Sequence, residues 1–172
     1  MKLPINFNDW IENNRHLLKP PVGNQVVYKD TEFIIMVVGG PNSRKDYHVD
    51  IAEEFFYQLE GDMILKIVES REFKDIPIRE GDIFLLPPNI PHSPQRFTDT
   101  VGLVIERQRK SGELDGFRWY CDSCETLLYE KFIQLTDIVT QLPSLFKNYW
   151  GEEANRTCSN CGEIQQPPEK QS

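Results

Sequence analysis

Short apolar runs separated by turn residues fill the chain from about residue 23 to about residue 107. Such runs, rich in β-branched and aromatic residues, are typical of strands. Glycine, proline and asparagine mark the turns at 39–42, 60–62 and 87–89. Many short strands at regular spacing predict an all-β sandwich or barrel. The predicted strands are Val26–Tyr28, Phe33–Val38, Glu54–Glu60, Met63–Val68, Ile76–Ile78, Ile83–Leu86 and Val101–Glu106.

Helical periodicity flanks this β-rich part on both sides. Apolar side chains recur at helical spacing over residues 6–18, and Asn6 or Asn8 can cap the first turn. Two prolines in residues 19–23 end that helix. Residues 136–150 repeat the helical pattern. We therefore predict a short N-terminal helix and a helical C-terminal part.

The changes in pattern divide the chain into three parts. We predict an N-terminal helix and connector over 1–22, a β-barrel over 23–110 and a C-terminal extension over 111–172. Residues 108–116 are polar and are interpreted as a loop, and the polar tail after Gly162 is predicted to be disordered. A length of 172 residues fits one compact domain with an appendage better than two full domains.

Charge and hydropathy narrow the classes of function. The formal net charge is -8, which makes nucleic acid and anionic membranes poor default partners. No apolar stretch approaches the roughly 20 residues of a membrane span. The first residues lack the apolar segment of a secretory signal. We therefore expect a cytoplasmic protein without nucleic-acid or membrane partners.

Two of the three histidines stand at fixed offsets from glycine and proline residues. His48 and Glu54 lie within 40–61, in the pattern G-x5-D-x-H-x5-E-x6-G. His92 lies within 81–96, in the pattern G-x5-P-x-N-x2-H-x3-R. These segments resemble the two motifs of the cupin family. The resemblance implies a jelly-roll barrel in which the three side chains point inward and bind a metal.

The segments depart from the usual cupin motifs at three positions. Asp46 stands in place of the first motif histidine, Asn89 in place of a glycine and Arg96 in place of the last asparagine. The remaining set is a 2-His-1-carboxylate triad, which leaves open positions on Fe(II) for O2 and a chelating substrate. Asp46 is either a group behind the ligands or a solvated side chain.

Other interpretations of these residues remain open at this stage. His48 and His92 could be ordinary polar residues at turns. Glu53 competes with Glu54 as the carboxylate ligand; because adjacent strand residues face opposite sides, only one can reach the metal, and the motif spacing selects Glu54. His16 lies on the predicted N-terminal helix without a metal-type partner and is expected to be a surface or packing residue.

One family within the cupins matches more closely. The segments Pro41–His48, Glu53–Gly61 and Pro87–Arg96 resemble those of 3-hydroxyanthranilate 3,4-dioxygenases, and the likeness runs from residue 5 to about 165. It implies Fe(II)-dependent opening of 3-hydroxyanthranilate by O2 to 2-amino-3-carboxymuconate semialdehyde. That product leads to quinolinate, in NAD biosynthesis and in tryptophan (kynurenine) degradation. The paired cysteines resemble the bacterial type, which implies a homodimer.

The resemblance also implies roles for four further residues. Arg44 and Arg96 fall on the positions that bind the substrate carboxylate, a role that suits the guanidinium fork. Glu106 would face the substrate and hydrogen-bond to its hydroxyl or take its proton. Asn24 falls near the active site. The alternatives are solvated arginines and a Glu106 that lies in water or pairs with Arg107.

Four cysteines form two C-x-x-C pairs in the last third of the chain, Cys121 with Cys124 and Cys158 with Cys161. In a reducing compartment such pairs indicate one four-thiolate site, here resembling rubredoxin-type knuckles with Fe or Zn. A closed sulfur cage has no place for substrate, so we expect a structural role. Free buried thiols and a redox role are the alternatives.

Two rival functions remain from the sequence. The first is another metal enzyme on the same fold, such as a different extradiol dioxygenase or an isomerase. The second is a non-catalytic small-molecule sensor that uses the cysteine knuckles to contact a macromolecule.

Overall fold

The computed structural model describes residues 3–20, 23–136 and 138–168. Its helices are α1 (Phe7–Asn14), α2 (Ile138–Gly151) and α3 (Glu153–Arg156), and a 3₁₀ turn (Arg15–Leu17) follows α1 directly. Its strands are β1 (Asn24–Val26), β2 (Phe33–Gly39), β3 (Asp46–Val49), β4 (Glu54–Glu60), β5 (Met63–Glu69), β6 (Glu72–Ile78), β7 (Ile83–Leu86), β8 (His92–Arg96), β9 (Val101–Arg107), β10 (Asp115–Tyr120) and β11 (Leu127–Ile133).

The strands form two antiparallel sheets. One sheet has the order β1-β2-β9-β4-β7 and the other the order β11-β10-β3-β8-β5-β6. Strands distant in sequence are neighbours in both sheets, which is the arrangement of a jelly-roll barrel. The predicted cupin-type barrel is therefore confirmed. Among the described residues, no helix is both long and apolar enough to cross a membrane.

An apolar core joins the inner faces of the two sheets. Met36 on β2, Phe56 on β4 and Val104 on β9 meet Leu65 and Ile67 on β5, and all five are buried. Burying one large apolar side chain contributes about 1.5–3 kcal/mol. This core fixes the register of β4 and β9, which places the polar residues of the same inner faces opposite one another.

Strand alternation explains how polar side chains reach the interior. On β4, Glu54 and Gln58 share the inner face with buried Phe56. In the β4–β9 register, Glu54 lies opposite Glu106 and Gln58 lies opposite Gly102. The interior thus has an apolar middle layer with polar groups above and below it.

The pattern-based prediction located most apolar strands and missed four others. Strands β3, β8, β10 and β11 were not predicted, because functional polar residues or aromatics break their apolar alternation. The first strand begins earlier than predicted, at Asn24, and β6 begins at Glu72. The N-terminal helix is confirmed, with the Asn6 side chain accepting from the Asp9 amide at 3.1 Å, but regular α-helix ends at Asn14.

The C-terminal part is built into the barrel. Strand β10 pairs with β3 on one side and β11 on the other, and an aromatic cluster of Phe117, Trp119 and Tyr149 packs α2 onto it. The division into three parts stays a prediction; the structure adds that the third part supplies two strands of the second sheet. Gln165, in the segment predicted to be disordered, is buried and accepts from the Tyr149 hydroxyl at 2.7 Å. Residues 169–172 lie outside the described residues.

Candidate active site

The three predicted metal ligands meet inside the barrel. His48 on β3, Glu54 on β4 and His92 on β8 offer ligand atoms that all lie within 4.8 Å of one another. His48 and His92 are direct cross-strand partners, with ring centroids 5.1 Å apart. Glu54 comes from the opposite sheet and is buried, whereas Glu53 is exposed. The structure therefore selects Glu54 over Glu53 for this cluster.

The contact between His92 and Glu54 suits a cation. Nδ1 of His92 lies 3.0 Å from the Ile90 carbonyl oxygen and donates to it, which leaves Nε2 as the ring nitrogen that faces the cluster. That Nε2 lies 2.9 Å from Oε2 of Glu54, a buried oxygen without a hydrogen-bond partner among the described residues. These two buried atoms are so close that a proton or a metal ion must lie between them.

The charges of Glu54 and His48 favour metal binding, whereas Glu54 outweighs burial and raises the pKa of His92. Burial opposes the charged form of Glu54, but the neighbouring His92 outweighs it and lowers the pKa of the carboxyl. Burial lowers the pKa of His48, which favours the neutral imidazole that a metal requires. A divalent cation would replace the proton now shared by His92 and Glu54. The donor set fits the metal predicted from the sequence.

Arg96 carries a buried positive charge beside the ligands. Its side chain is 2% exposed, donates through Nη1 to Oε1 of Gln58 at 3.0 Å and leaves Nε without a hydrogen-bond partner among the described residues. Burial lowers the pKa of Arg96 to about 10. A β-carbon at residue 102 would lie 2.5 Å from Arg96 Nη1, so Gly102 provides the space for the guanidinium. The solvated alternative does not hold for Arg96.

Arg44 lies at the same pocket and is ion-paired with Asp46. Its Nε also lies 3.2 Å from the Asp46 carboxylate. Asp46 is buried, so the alternative of a solvated side chain does not hold. The Gln95 side chain bonds both backbone groups of Arg44, donating to its carbonyl at 3.0 Å and accepting from its amide at 3.3 Å. These bonds hold Arg44 at the rim.

Glu106 is 4% exposed and lines the pocket. Burial and the nearby charge of Glu54 raise the pKa of Glu106 to about 8. Its carboxylate lies 2.8 Å from Nη1 of Arg109. The alternative of a pair with Arg107 is wrong, because Arg107 binds Glu113 at 2.6 Å. Glu106 is thus a buried, proton-sensitive group facing the interior.

These residues line one cavity of about 150 Å³. A cavity of about this volume can hold one benzene-sized ring. Apolar walls come from the barrel and also from Leu135 and Leu142 of the C-terminal part. The predicted site residues that line it are Asn24, Arg44, His48, Glu54, His92, Arg96 and Glu106.

Sequence reasoning missed a charged cluster behind the ligands. Arg109 binds the carboxylates of Asp50 at 2.9 Å and Asp115 at 2.6 Å, in addition to Glu106. Asp115 in turn contacts His48. Arg109 and Asp115 belong to the segment 108–116 that was interpreted as a polar loop. The apolar pattern gives no signal that they are buried, and two of the contacts, Arg109 with Asp50 and Asp115 with His48, join residues 59 and 67 positions apart.

The four cysteines form a second cluster at the far end of β10. The Sγ atoms of Cys121 and Cys161 lie 3.5 Å apart, and Cys124 lies 3.5 Å from Cys158 and 3.4 Å from Cys161. These distances exclude a disulfide. Tetrahedral thiolates at about 2.3 Å from one metal would be about 3.8 Å apart, so the cluster fits a metal.

The two cysteine pairs adopt the same turn. In the first, the amide of Cys121 donates to the Thr126 carbonyl and the amide of Glu125 donates to the Cys121 carbonyl. In the second, Cys158 donates to Glu163 and Gly162 donates to Cys158 in the same way. Glu125 and Gly162 both have positive φ, 60° and 78°. The repeated knuckle supports the four-thiolate interpretation over free thiols.

Comparisons with known sequences agree with one another. A sequence model of the family described as 3-hydroxyanthranilic acid dioxygenase matches residues 1–150. A Jannaschia sp. (strain CCS1) protein named 3-hydroxyanthranilate 3,4-dioxygenase is 54% identical over 169 residues, covering 96% of this chain and 94% of that protein. A Xanthomonas euvesicatoria pv. vesicatoria protein with the same name is 53% identical over 167 residues, covering 97% and 94%.

Comparison with solved structures concerns the fold alone. A protein from Neisseria meningitidis matches with a TM-score of 0.50 and 17% identity, covering 62% of this chain and 100% of that chain. This likeness covers part of the chain and shows the fold alone.

Proposed function

This chain belongs to the 3-hydroxyanthranilic acid dioxygenase family, and from that premise we propose how its residues carry out the reaction. It is a dioxygenase that cleaves the ring of 3-hydroxyanthranilate with O2. The product, 2-amino-3-carboxymuconate semialdehyde, is the precursor of quinolinate. The chain thereby connects tryptophan degradation through kynurenine with NAD biosynthesis.

The proposed catalytic metal is Fe(II), held by His48, Glu54 and His92. One observation carries this assignment: Oε2 of Glu54 and Nε2 of His92 are buried 2.9 Å apart, a separation that requires a proton or a metal ion between them. When bound, Fe(II) supplies the redox chemistry with O2 that the protein groups cannot. The three ligands leave open positions, as a 2-His-1-carboxylate set does.

The two arginines are proposed to bind the substrate carboxylate. Arg96 supports this role best, because its guanidinium is buried beside the ligands without a carboxylate at ion-pair distance among the described residues. Arg44 lies at the rim of the cavity and also forms an ion pair with Asp46. Bidentate guanidinium contacts would orient the ring so that its amine and hydroxyl face the metal ligands. Asn24 lines the same cavity.

Glu106 is proposed to hold the substrate hydroxyl. It lies opposite Glu54 in the β4–β9 register and faces the same cavity. In its ionised form Glu106, which its raised pKa makes a stronger base, would accept the hydroxyl proton, and Arg109 at 2.8 Å would keep it oriented. Apolar walls, including Phe56, exclude water from the reacting ring.

Turnover by the iron-loaded protein tests the function. Protein loaded anaerobically with Fe(II) is mixed with 3-hydroxyanthranilate and then exposed to air. We expect O2 uptake equal to substrate loss, together with the absorbance of the ring-opened product. Conversion without O2 uptake would indicate an isomerase, and tight binding without conversion would indicate a sensor; either result contradicts the proposal.

The four cysteines are proposed to hold a structural Fe or Zn. Two matching knuckles and sulfur distances of 3.4–3.5 Å support a closed cage. Cysteines that lie side by side without a disulfide are typical of a reducing compartment. We therefore propose a cytoplasmic location. Elemental analysis per chain identifies the metal, and removal with a chelator should lower the melting temperature.

A homodimer is proposed as the assembly. Edge strand β7 exposes Ile83 (68%) and Leu85, and Leu85 lines an apolar groove with Phe33 and Phe55. An apolar sheet edge is a surface that a second copy can cover about a twofold axis. Sedimentation of the wild type should give a dimer, and Ile83→Lys with Leu85→Lys should give a monomer. A monomeric wild type would contradict this assignment.

A further inference from the structure

His48 has a buried carboxylate on one edge of its ring. Nε2 of His48 lies 2.7 Å from Oδ1 of Asp115, whose side chain is 1% exposed. Since an ionised carboxylate only accepts, the imidazole donates in this contact. One ring nitrogen is thus used by Asp115, and the other remains for a metal.

Asp115 is itself held in place. Arg109 donates to it through Nε at 3.0 and 3.1 Å and through Nη2 at 2.6 Å. The Arg109 side chain is also buried, so the charge of Asp115 is compensated where water cannot reach it. Asp50, equally buried, binds the same guanidinium at 2.9 Å but is not hydrogen-bonded to His48.

Strand β10 holds the ring on a second side. Phe117 lies two residues after Asp115 on the same face and is the cross-strand partner of His48. Its ring stacks on the imidazole at 5.2 Å and 26°. A β-carbon at the intervening Gly116 would lie 3.1 Å from Val49 Cβ and 2.7 Å from Phe132, so glycine allows the strands this close approach.

We propose that Asp115, oriented by Arg109, is a positioning residue that fixes the ring orientation and the protonated nitrogen of His48 for metal binding. The inference rests on the proposed metal-binding role of His48. Outer carboxylates of this kind typically change metal affinity about 10–100-fold when they are removed.

Mn(II) titration followed by electron paramagnetic resonance of the free ion tests the inference. Mn(II) prefers nitrogen and oxygen ligands, so it reports the barrel site rather than the thiolate cage. After removal of the barrel metal, Asp115→Asn should weaken Mn(II) binding about 10–100-fold. Asp50→Asn removes a carboxylate from the same Arg109 and is the matched control; its Kd should change less than about threefold, since it leaves the His48 contact intact.

The outcomes separate this inference from the metal site itself. Wild-type affinity in Asp115→Asn, or equal weakening in Asp50→Asn, overturns the positioning role and leaves the metal site standing. If the wild type shows no Mn(II) binding that His48→Ala abolishes, both the positioning role of Asp115 and the proposed metal site are overturned. If Asp115→Asn does not fold, nitrogen-15 spectra of the Zn(II)-loaded wild type decide: a slowly exchanging His48 ring N–H supports the inference, and its absence overturns it.

Discussion

The barrel cluster and the cysteine cluster are two metal-type sites built on opposite principles. In the barrel, His48, Glu54 and His92 come from three strands of two sheets and open onto a cavity. In the cysteine cluster, two short turns of the same shape supply all four ligands. The first has donors on one side and space on the other, whereas the second closes on itself. An open, mixed-ligand site suits reaction, and a closed sulfur site suits structure.

The surroundings of the two sites also differ, with buried charges at one and backbone hydrogen bonds and packed aromatics at the other. Around the barrel ligands lie buried charges: Arg96, Glu106, Arg109 and Asp115. Around the cysteines lie backbone hydrogen bonds and the packed aromatic cluster of the C-terminal part. Buried charges cost stability unless paired, so their concentration at one site indicates where function, rather than folding, has selected the residues.

Removing one barrel ligand should have the largest effect on turnover. His48→Ala is expected to lose the barrel metal and to lower kcat/KM by roughly 10³-fold or more, because the metal supplies several kcal/mol to the reaction. His16→Ala, at an exposed histidine on the 3₁₀ turn, is the control and should leave kcat/KM unchanged. Activity and iron content are measured together. Activity retained by iron-loaded His48→Ala would contradict the assignment of the barrel site as the site of reaction.

Removing cysteine ligands should affect stability far more than turnover. The double change Cys121→Ser and Cys124→Ser is expected to lower the free energy of unfolding by about 4 kcal/mol or more, because loss of a structural metal removes folding energy. The kcat per loaded barrel site should stay within about threefold below the melting temperature. Chemical unfolding and steady-state kinetics measure the two effects. A large fall in kcat per loaded site at unchanged stability would show that the cysteine site takes part in the reaction.

Substitution of Arg44 tests whether the open side of the barrel site binds the substrate. Arg44→Ala should raise KM about 10–100-fold with kcat changed little, since a charge-assisted hydrogen bond contributes about 1.5–3 kcal/mol to binding. Arg118→Ala removes a partly exposed guanidinium paired with Glu130 on the outer face and should leave KM unchanged. Equal KM values in the two variants would exclude Arg44 from the substrate site.

The smallest expected effect comes from filling the space beside Arg96. A β-carbon at Gly102 would lie 2.5 Å from Arg96 Nη1 and 2.7 Å from Gln58 Oε1, so Gly102→Ala should displace the guanidinium. We expect KM to rise about 3–10-fold, which is about 0.7–1.4 kcal/mol of binding free energy, because part of the overpacking cost falls on folding rather than on binding. Gly151→Ala has free space and is the control. An unchanged KM in Gly102→Ala would show that the guanidinium adjusts without loss.

The sequence predicted the parts of the molecule that depend on local pattern. Apolar alternation located β2, β4, β5, β7 and β9, and fixed motif offsets identified the ligand candidates and both cysteine pairs. Both kinds of signal are contained within a few residues of the chain.

The missed elements depend on contacts between distant segments. Strand β8 holds His92, Pro94 and Arg96 at inward or interior positions, so it lacks the apolar alternation of a strand. Arg109 and Asp115 also contact Asp50 and His48, which lie 59 and 67 residues away from them along the chain, where β10 pairs with β3. A polar segment of this kind is interpreted as a loop because its charges give no apolar periodicity, even though Glu106 and Asp115 lie close to Arg109 in sequence.

The buried charge of Arg96 has a consequence for the protein between turnovers. A guanidinium held out of water, bound only to the neutral Gln58 among the described residues, makes the empty fold less stable than a neutral side chain would. If Arg96 binds the substrate carboxylate as proposed, that carboxylate would supply the missing partner, and its binding would raise the stability of the fold by mass action. We therefore expect the ligand-free protein to be the more easily unfolded form, so that its lifetime would depend on the supply of substrate.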